Sequence, residues 1–322
     1  MLSAITGSYG EKDSGYNLKM NLSSKIKVAV LRGGASNGYF DSLKTGKYVL
    51  STLREMEDVY EPLDIFISKE GEWHREGLVQ EPHQALAYID VVWNALHGSY
   101  GEDGQIGRVL ESLQISFTGS GVVPSALAMN KDMSKRLYNR YALLTPAHEL
   151  ITKEDFNDER LIAIFKTYLS PMIVKPANTS GSLGVSMAYT FNGLKKIVKE
   201  TLNHSPRVIV EESIKGEEVS CLVIEEARGE RIYALIPSNK SKLKLKAEEN
   251  KKIEEMAKLA HEILGLRHYS SSNFVISPKR NIYILATNSL PPLHEDSSAL
   301  SSLLSTGWRP RDFVDHILKL AM

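Results

Sequence analysis

Apolar positions are dense and β-branched in Ile26-Lys27-Val28-Ala29-Val30-Leu31, which Gly33-Gly34 closes. They then recur at helical spacing at Leu43, Val49, Leu50 and Leu53. A period of two giving way to one near 3.6 predicts a strand, a glycine turn and a helix. Asp64-Ile65-Phe66-Ile67 and Ile89 through Leu96 read as second and third strands, separated by helical stretches. Strands alternating with helices produce a parallel, doubly wound sheet, whose ligands gather beyond the carboxyl ends of the strands. His97-Gly98 and the glycine-rich Gly101-Glu102-Asp103-Gly104 follow the third strand directly.

The pattern changes after Phe117-Thr118-Gly119-Ser120-Gly121, where Ser125 to Tyr141 reads as one helix and Pro146 marks a break. Met172-Ile173-Val174-Lys175 and Val185-Ser186-Met187-Ala188 are strands joined by the polar loop Thr179 to Gly184, an arrangement expected to act as a flexible flap. A helix near 192 to 202 follows. Arg207 to Glu211 and Glu218 to Ile224 read as antiparallel strands around the turn at Gly216, with Ile232 to Ile236 as a third. The alternating Leu and Lys of Lys240 to Lys246 suit a half-solvated sheet edge better than an anion site. A helix through Ile253, Met256, Leu259, Ala260, Ile263 and Leu264 precedes a hairpin of Asn273 to Ile276 with Ile282 to Leu285. Pro310 at a first turn opens a closing helix through Phe313, Val314, Ile317 and Leu318. No internal repeat interrupts this order.

Composition narrows the function without naming it. The 322 residues are 42% apolar and 24% charged, and 39 Lys plus Arg balance 39 Asp plus Glu. No global field exists to collect nucleic acid or anionic lipid. Cys221, the one cysteine, lies in the apolar run Val219 to Ile224, which excludes a disulfide framework and suits a buried, inert thiol in a reducing cytosol. Nothing approaches the ~18 consecutive apolar residues of a membrane span, and the N-terminus lacks a secretory apolar region. A cytoplasmic protein without membrane partners is expected. Residues 1–25, rich in Gly, Ser, Asn and Tyr, read as a flexible tail, and Met1 and Met20 are both candidate starts.

Several residues could carry chemistry. Lys175 on a strand before a small-residue loop supplies a charge beside free backbone amides, which suits a triphosphate. The loop lacks the terminal Gly-Lys-Ser/Thr of a P-loop, and an ordinary hairpin explains it equally. Glu218, two residues past Gly216, could accept hydrogen bonds from a ribose, and the backbone around Glu211 could meet an adenine edge. Either glutamate could also be a solvated strand residue. Lys131 could add a second phosphate contact, or be one exposed lysine among many.

In order along the chain stand Leu96-His97-Gly98 with Gly101 to Gly104, Phe117 to Gly121, Ser125 to Lys131, Ile173-Val174-Lys175-Pro176, and Asn288 with Pro291. Together they resemble the D-alanine:D-alanine ligase family of the ATP-grasp superfamily, from Ile26 to the C-terminus. The resemblance implies a mixed α/β and α+β ATP-grasp fold. Its units are a Rossmann-like N-terminal domain (26–120), a central lid domain (121–206) and a C-terminal nucleotide and metal domain (207–322). It implies ATP between two antiparallel sheets, phosphorylation of a D-alanine carboxylate, and attack of a second D-alanine amine on the acyl phosphate, a cell-wall peptidoglycan precursor reaction. By position Lys131 and Lys175 match phosphate-contacting lysines, and Ser180, Gly181, Ser182 and Gly184 match a phosphate flap. Glu211, Glu212 and Ile214 match an adenine hinge, Glu218 a ribose carboxylate, and His97 and Ser297 line the substrate side. A homodimer through the N-terminal domain is the family default.

The match fails at the chemical half. Gly38 occupies the position of the glutamate that anchors the substrate ammonium, and Ser271 that of the oxyanion-binding arginine. Asn273 and Ala286 replace two magnesium carboxylates, leaving Asn288 alone of the metal set. The product-covering loop is shortened to about Pro237 through Asn250 and has no tyrosine. Magnesium prefers hard anionic oxygens. Two functions follow as alternatives: a ligase with strongly impaired turnover, or an inactive nucleotide-binding protein serving as scaffold or regulator. Arg267, His268, Arg280, Glu295 and Asp296 are the charged neighbours that could compensate. A dinucleotide-dependent oxidoreductase ranks last, because the full glycine fingerprint is absent after the first strand.

Overall fold

The computed structural model describes residues 25–179, 181, 184–239 and 244–322. The first β-branched run forms β1 (Ile26–Gly33), followed by α1 (Tyr39–Arg54), β2 (Tyr60–Ile67), β3 (Trp73–Arg75), β4 (Leu78–Gln80), α2 (Pro82–Ala85), β5 (Val91–Asn94), α3 (Gln105–Ser112) and β6 (Ser116–Phe117). They build one sheet in the order β4-β3-β2-β1-β5-β6. β1, β2, β5 and β6 are parallel, while β3 and β4 add an antiparallel edge that the hydrophobic pattern does not announce. The third expected strand is shorter than Ile89 to Leu96, because the Asn94 side chain accepts the Leu96 amide at 3.1 Å and turns the chain out of the sheet. Gly33 has φ +94°, and a Cβ there would meet the Ile67 carbonyl oxygen at 2.2 Å, so this turn requires glycine.

The second unit runs through α4 (Val122–Met129), α5 (Lys131–Arg140), β7 (His148–Thr152), α6 (Asp158–Thr167), β8 (Met172–Pro176), β9 (Ser186–Ala188), α7 (Phe191–His204) and β10 (Arg207–Glu212). The single helix expected from Ser125 to Tyr141 is two. Asn130 leaves the helical region at ψ 101°, and its side chain accepts the Met133 amide at 3.1 Å, so it caps α5 and ends α4. The sheet order is β7-β10-β8-β9. One face of this sheet, with Met172, Val174, Val208 and Val210, packs on α6 and α7 in a core of its own.

The third unit comprises β11 (Glu217–Ala227), β12 (Glu230–Ala234), β13 (Ser238–Asn239), α8 (Ala247–Ile263), β14 (Tyr269–Ile276), β15 (Ile282–Asn288), α9 (Ser298–Ser305) and α10 (Pro310–Ala321). Its sheet order is β12-β11-β14-β15, with β13 also on β11. The hairpin expected around Gly216 does not form: β10 pairs with β7 and β8, and β11 with β12, β13 and β14. Two apolar faces are being satisfied separately, Val208 and Val210 against α6 and α7, and Val219, Cys221 and Val223 against α8. The stretch Pro237 to Asn250 is not one loop, since β13 and the first turn of α8 fall within it. The edge reading for Lys240 to Leu243, and the tail, lie outside the described residues.

The first and third units share a core. Val28, Val30 and Trp93 pack with Leu222, Ile224, Leu300 and Phe313. Trp93 stacks on Tyr269 at 6.3 Å, and Tyr269 meets Phe313 edge-on at 5.5 Å. Among the described residues no helix is long and apolar enough to cross a membrane. Cys221 is buried, and burial pushes its thiol well above the ordinary range.

Candidate functional site

Three residues of α5, spaced i, i+4 and i+7, face the junction between the second and third sheets. Lys131 donates from Nζ to the carbonyl of Thr179 and to its Oγ1 at 3.2 Å. Lys135 reaches Thr145 Oγ1 and the Pro146 carbonyl, each at 3.0 Å, and sits 2.9 Å from Glu211 Oε2. Tyr138 donates to Thr287 Oγ1 on β15 at 2.9 Å. On β8, Lys175 donates to Glu211 Oε1 at 2.5 Å. Lys175 and Glu211 project from the face of the second sheet turned away from α6 and α7, because their neighbours Val174 and Val210 fill the core on the other face.

Two ammonium groups thus hold one carboxylate between them, and a third, that of Lys131, feels both Lys175 and Glu211 without an ion pair to the carboxylate. Burial lowers the Lys131 ammonium to about 8, and Lys175 adds repulsion. Burial likewise brings Lys135 to about 8, outweighing the attraction of Glu211. Burial pushes the Glu211 carboxyl upward, but Lys135 and Lys175 overcome it and hold the group below its ordinary value. The cluster is an excess of buried positive charge, suited to a polyanion.

The remaining expected contacts divide. Glu212 joins β10 to Ala147 by accepting the Ala147 amide at 3.0 Å, Ile214 is half-buried, and Glu218 is exposed on β11. The Glu211 side chain is engaged by the two lysines, so only its backbone remains for an adenine edge. Around Gly181 a Cβ would meet nothing, whereas one at Gly184 would touch Pro176. Ser180 and Ser182 lie outside the described residues.

On the third sheet, Ser220, Asn273 and Ala286 are register partners in one row across β11, β14 and β15, and Leu222, Ser271 and Asn288 form the next. Alternation puts both rows on one face, opposite the Val219, Cys221 and Phe274 that pack on α8. Asn273 is exposed there, Ala286 carries no donor atom, and Asn288 Oδ1 already accepts the Leu290 amide at 2.8 Å. These neutral groups do not fit a magnesium ion. Among the described residues no three His, Cys, Asp or Glu side chains are grouped to hold a metal. Four of the five candidate replacements are engaged elsewhere. Arg280 is paired with Glu249, and Arg267 lies over the Phe117 ring. The Asp296 carboxylate lies 3.6 Å from Lys44, and Glu295 is exposed. His268, brought to about 4 chiefly by burial, accepts the Gly119 amide at 3.0 Å.

At the first sheet, Gly38 caps α1 against the backbone that follows β5. A Cβ at Gly38 would meet the His97 carbonyl oxygen at 2.5 Å and its carbon at 2.6 Å. His97 is buried, its Nε2 2.9 Å from Thr45 Oγ1, and Thr45 also accepts the Leu293 amide at 3.1 Å. His97 Nδ1 makes no hydrogen bond and lies 3.7 Å from buried Glu102. Ser297 is the N-cap of α9, accepting the Leu300 amide at 3.2 Å. Sequence reasoning missed Lys135 and Glu102. The signal for Lys135 was its i+4 spacing from Lys131 on a helix face shared with Ser134 and Tyr138; Glu102 had none beyond its glycine-rich setting.

The family model described as D-ala D-ala ligase C-terminus matches residues 137–319, more than half of the chain. The chain belongs to the D-alanine–D-alanine ligase family. It is 30% identical over 311 residues to the D-alanine–D-alanine ligase of Geotalea uraniireducens, covering 92% of this chain and 95% of that one. The VanA vancomycin/teicoplanin resistance protein of Enterococcus faecium is 26% identical over 348 residues, with 93% and 99% coverage. Among solved structures, the Bacillus anthracis D-alanine–D-alanine ligase complexed with ATP superposes with a TM-score of 0.75 at 25% identity, covering 92% and 96%. The Coxiella burnetii ligase gives 0.81 at 22% identity, covering 92% and 95%. The D-alanine–D-alanine ligase fold, ATP-grasp, is therefore the fold of this chain.

Proposed function

We propose that this chain is a nucleotide-binding D-alanine–D-alanine ligase homologue in which ATP-dependent carboxylate–amine ligation is strongly weakened. The observation that carries this is the neutral row of Asn273 and Ala286 beside Asn288, on a sheet face where a magnesium-dependent phosphoryl transfer would need carboxylates. ATP would lie between the second and third sheets, its phosphates met by Lys131 and Lys175, its ribose by Glu218 and its adenine by the backbone from Glu211 to Ile214. The Gly181 and Gly184 loop would close over the phosphates. His97 and Ser297 would border a D-amino acid. Magnesium, which the family resemblance implies, would neutralise phosphate charge if it bound; nothing in this row replaces that service.

Losing one preorganised oxyanion donor costs about 2.7–4 kcal/mol, on the order of 100- to 1,000-fold in rate. Ser271 alone would therefore leave measurable turnover. Together with Gly38, Asn273 and Ala286 it removes groups that act as a unit, whose penalties do not simply add. Any residual product would be a cell-wall peptidoglycan precursor made in the cytoplasm. We also read a homodimer through the first unit, where Leu78 and Val79 stand exposed on edge strand β4.

The test is ADP release from purified chain with ATP, magnesium and a panel of D-amino acids, beside the Geotalea uraniireducens ligase. The expected rate is at least 100-fold below that ligase, and ATP affinity should change less than threefold when magnesium is withdrawn. Matching rates, or tight magnesium-dependent binding, would overturn the reading. A second reading, an inactive scaffold or regulator, is favoured by the His97 backbone filling the space beside Gly38. It predicts ATP binding with no ADP release for any amino acid.

A further inference from the structure

The nucleotide reading uses Lys131 and Lys175 but gives no role to Lys135, whose side chain is 0% exposed. An ammonium group buried this completely needs compensation, and every partner of Lys135 belongs to the junction between the two sheets. Thr145 Oγ1, which accepts from it, donates in turn to the Ile284 carbonyl on β15 at 2.7 Å. Its ion-pair partner Glu211, whose side chain is 3% exposed, reaches Lys175 with its other oxygen. The result is a chain of contacts from β15 through Thr145, Lys135 and Glu211 to Lys175 on β8.

We propose that Lys135 is a positioning residue for the phosphate site: by holding Glu211 from behind, it fixes the direction of Lys175 and leaves part of that lysine's charge free for a nucleotide phosphate. The inference rests on the nucleotide reading above. A carboxylate shared between two ammonium groups neutralises neither, so Lys175 keeps an unsatisfied share of positive charge. Without Lys135 the carboxylate would belong to Lys175 alone. The pair would close on itself, and a phosphate would have to displace Glu211. Other charged groups face this cluster. Lys131 comes from the same helix, Glu212 from β10, and His148, 3.1 Å from Asp132, from β7. None of them touches both Glu211 and Lys175.

The experiment compares wild type, Lys135→Met, Lys135→Arg, Glu211→Gln and the double variant Lys135→Met/Glu211→Gln as full chains. Calorimetry measures ATP and adenosine affinity from pH 6.5 to 9.5. Lys135→Met should weaken ATP at least tenfold and adenosine less than twofold, and should move the pH profile of ATP affinity. Lys135→Arg should recover ATP to within threefold of wild type. Adding Lys135→Met to Glu211→Gln should change ATP affinity less than twofold, because the first acts through the second. Equal losses for ATP and adenosine, an unmoved pH profile, or full additivity would each overturn the proposal and leave Lys135 a fold-supporting residue. Should Lys135→Met fail to fold, Lys135→Arg against Glu211→Gln decides it: arginine keeping ATP affinity while glutamine changes its pH profile supports the role, and neither moving that profile rejects it. A nucleotide-free arm separates this inference from the reading beneath it. The rate of Lys175 acylation at pH 9, followed by mass spectrometry, should fall at least threefold in Lys135→Met and return in Lys135→Arg. If wild type binds no ATP, the nucleotide reading fails while the acylation rate still decides whether Lys135 positions Lys175, an unchanged rate rejecting that role.

Discussion

Lys131 illustrates how a buried charge becomes a reporter. Its ammonium titrates near 8 in the free chain because burial and Lys175 both oppose its protonation. A polyphosphate beside it would favour the charged form and return it toward the ordinary lysine value. ATP binding at pH 8.5 should therefore take up protons, and binding at pH 6.5, where the group is already protonated, should not. Affinity is then greatest below pH 8 and declines as pH rises through it. Calorimetry in two buffers of different ionisation enthalpy reads the uptake directly. Identical heats in both buffers at pH 8.5 would remove Lys131 from the phosphate site. Lys131 and Lys175 were legible as candidates because their strand and helix settings repeat a known motif order. Lys135 was not, because nothing in a lysine's letter says whether it is solvated or walled in, and the wall comes from Thr145, Pro146 and Glu211 at distant positions.

Among elements, the cap of α1 and the row on β14 and β15 differ in how far they can be reversed. Asn273 is exposed and opposite Ala286, so Asn273→Asp with Ala286→Glu can be accommodated by side chains alone. That double variant should make ATP binding magnesium-dependent, measured by calorimetry with and without the ion; continued indifference would mean the row is not the ion's site. Gly38→Glu should not restore substrate anchoring, because its Cβ would lie 2.5 Å from the His97 carbonyl oxygen. It should instead lower stability, by about 1–3 kcal/mol for an overpacked contact, seen as a reduced denaturation midpoint. Unchanged stability would show that the His97 backbone gives way. Most strands and helices were legible from their period, including β1, α7 and α10. The break at Asn130 was not, because the apolar pattern continues across it while one side-chain hydrogen bond redirects the backbone. The parting of β10 from β11 escaped for a related reason, since local alternation says that a strand exists but not which sheet it joins.

For the whole molecule, the first and third units are held together by Trp93, Tyr269, Phe313 and their neighbours, whereas the second sheet keeps a separate core with α6 and α7. Phe313→Ala should cost about 3–5 kcal/mol, as deleting a buried aromatic does. Hydrogen exchange should then show β1 and β14 losing protection together while β8 keeps its own. Protection lost from β14 alone would mean that the two units are not one cooperative body.

The glutamate between the lysines has a bearing on the unliganded lifetime of the protein. Bare ammonium groups walled into a fold push the chain apart until something negative arrives. With Glu211 stationed among them, the vacant cleft carries its own counter-ion. The polypeptide can wait unfilled without the scaffold losing its cohesion.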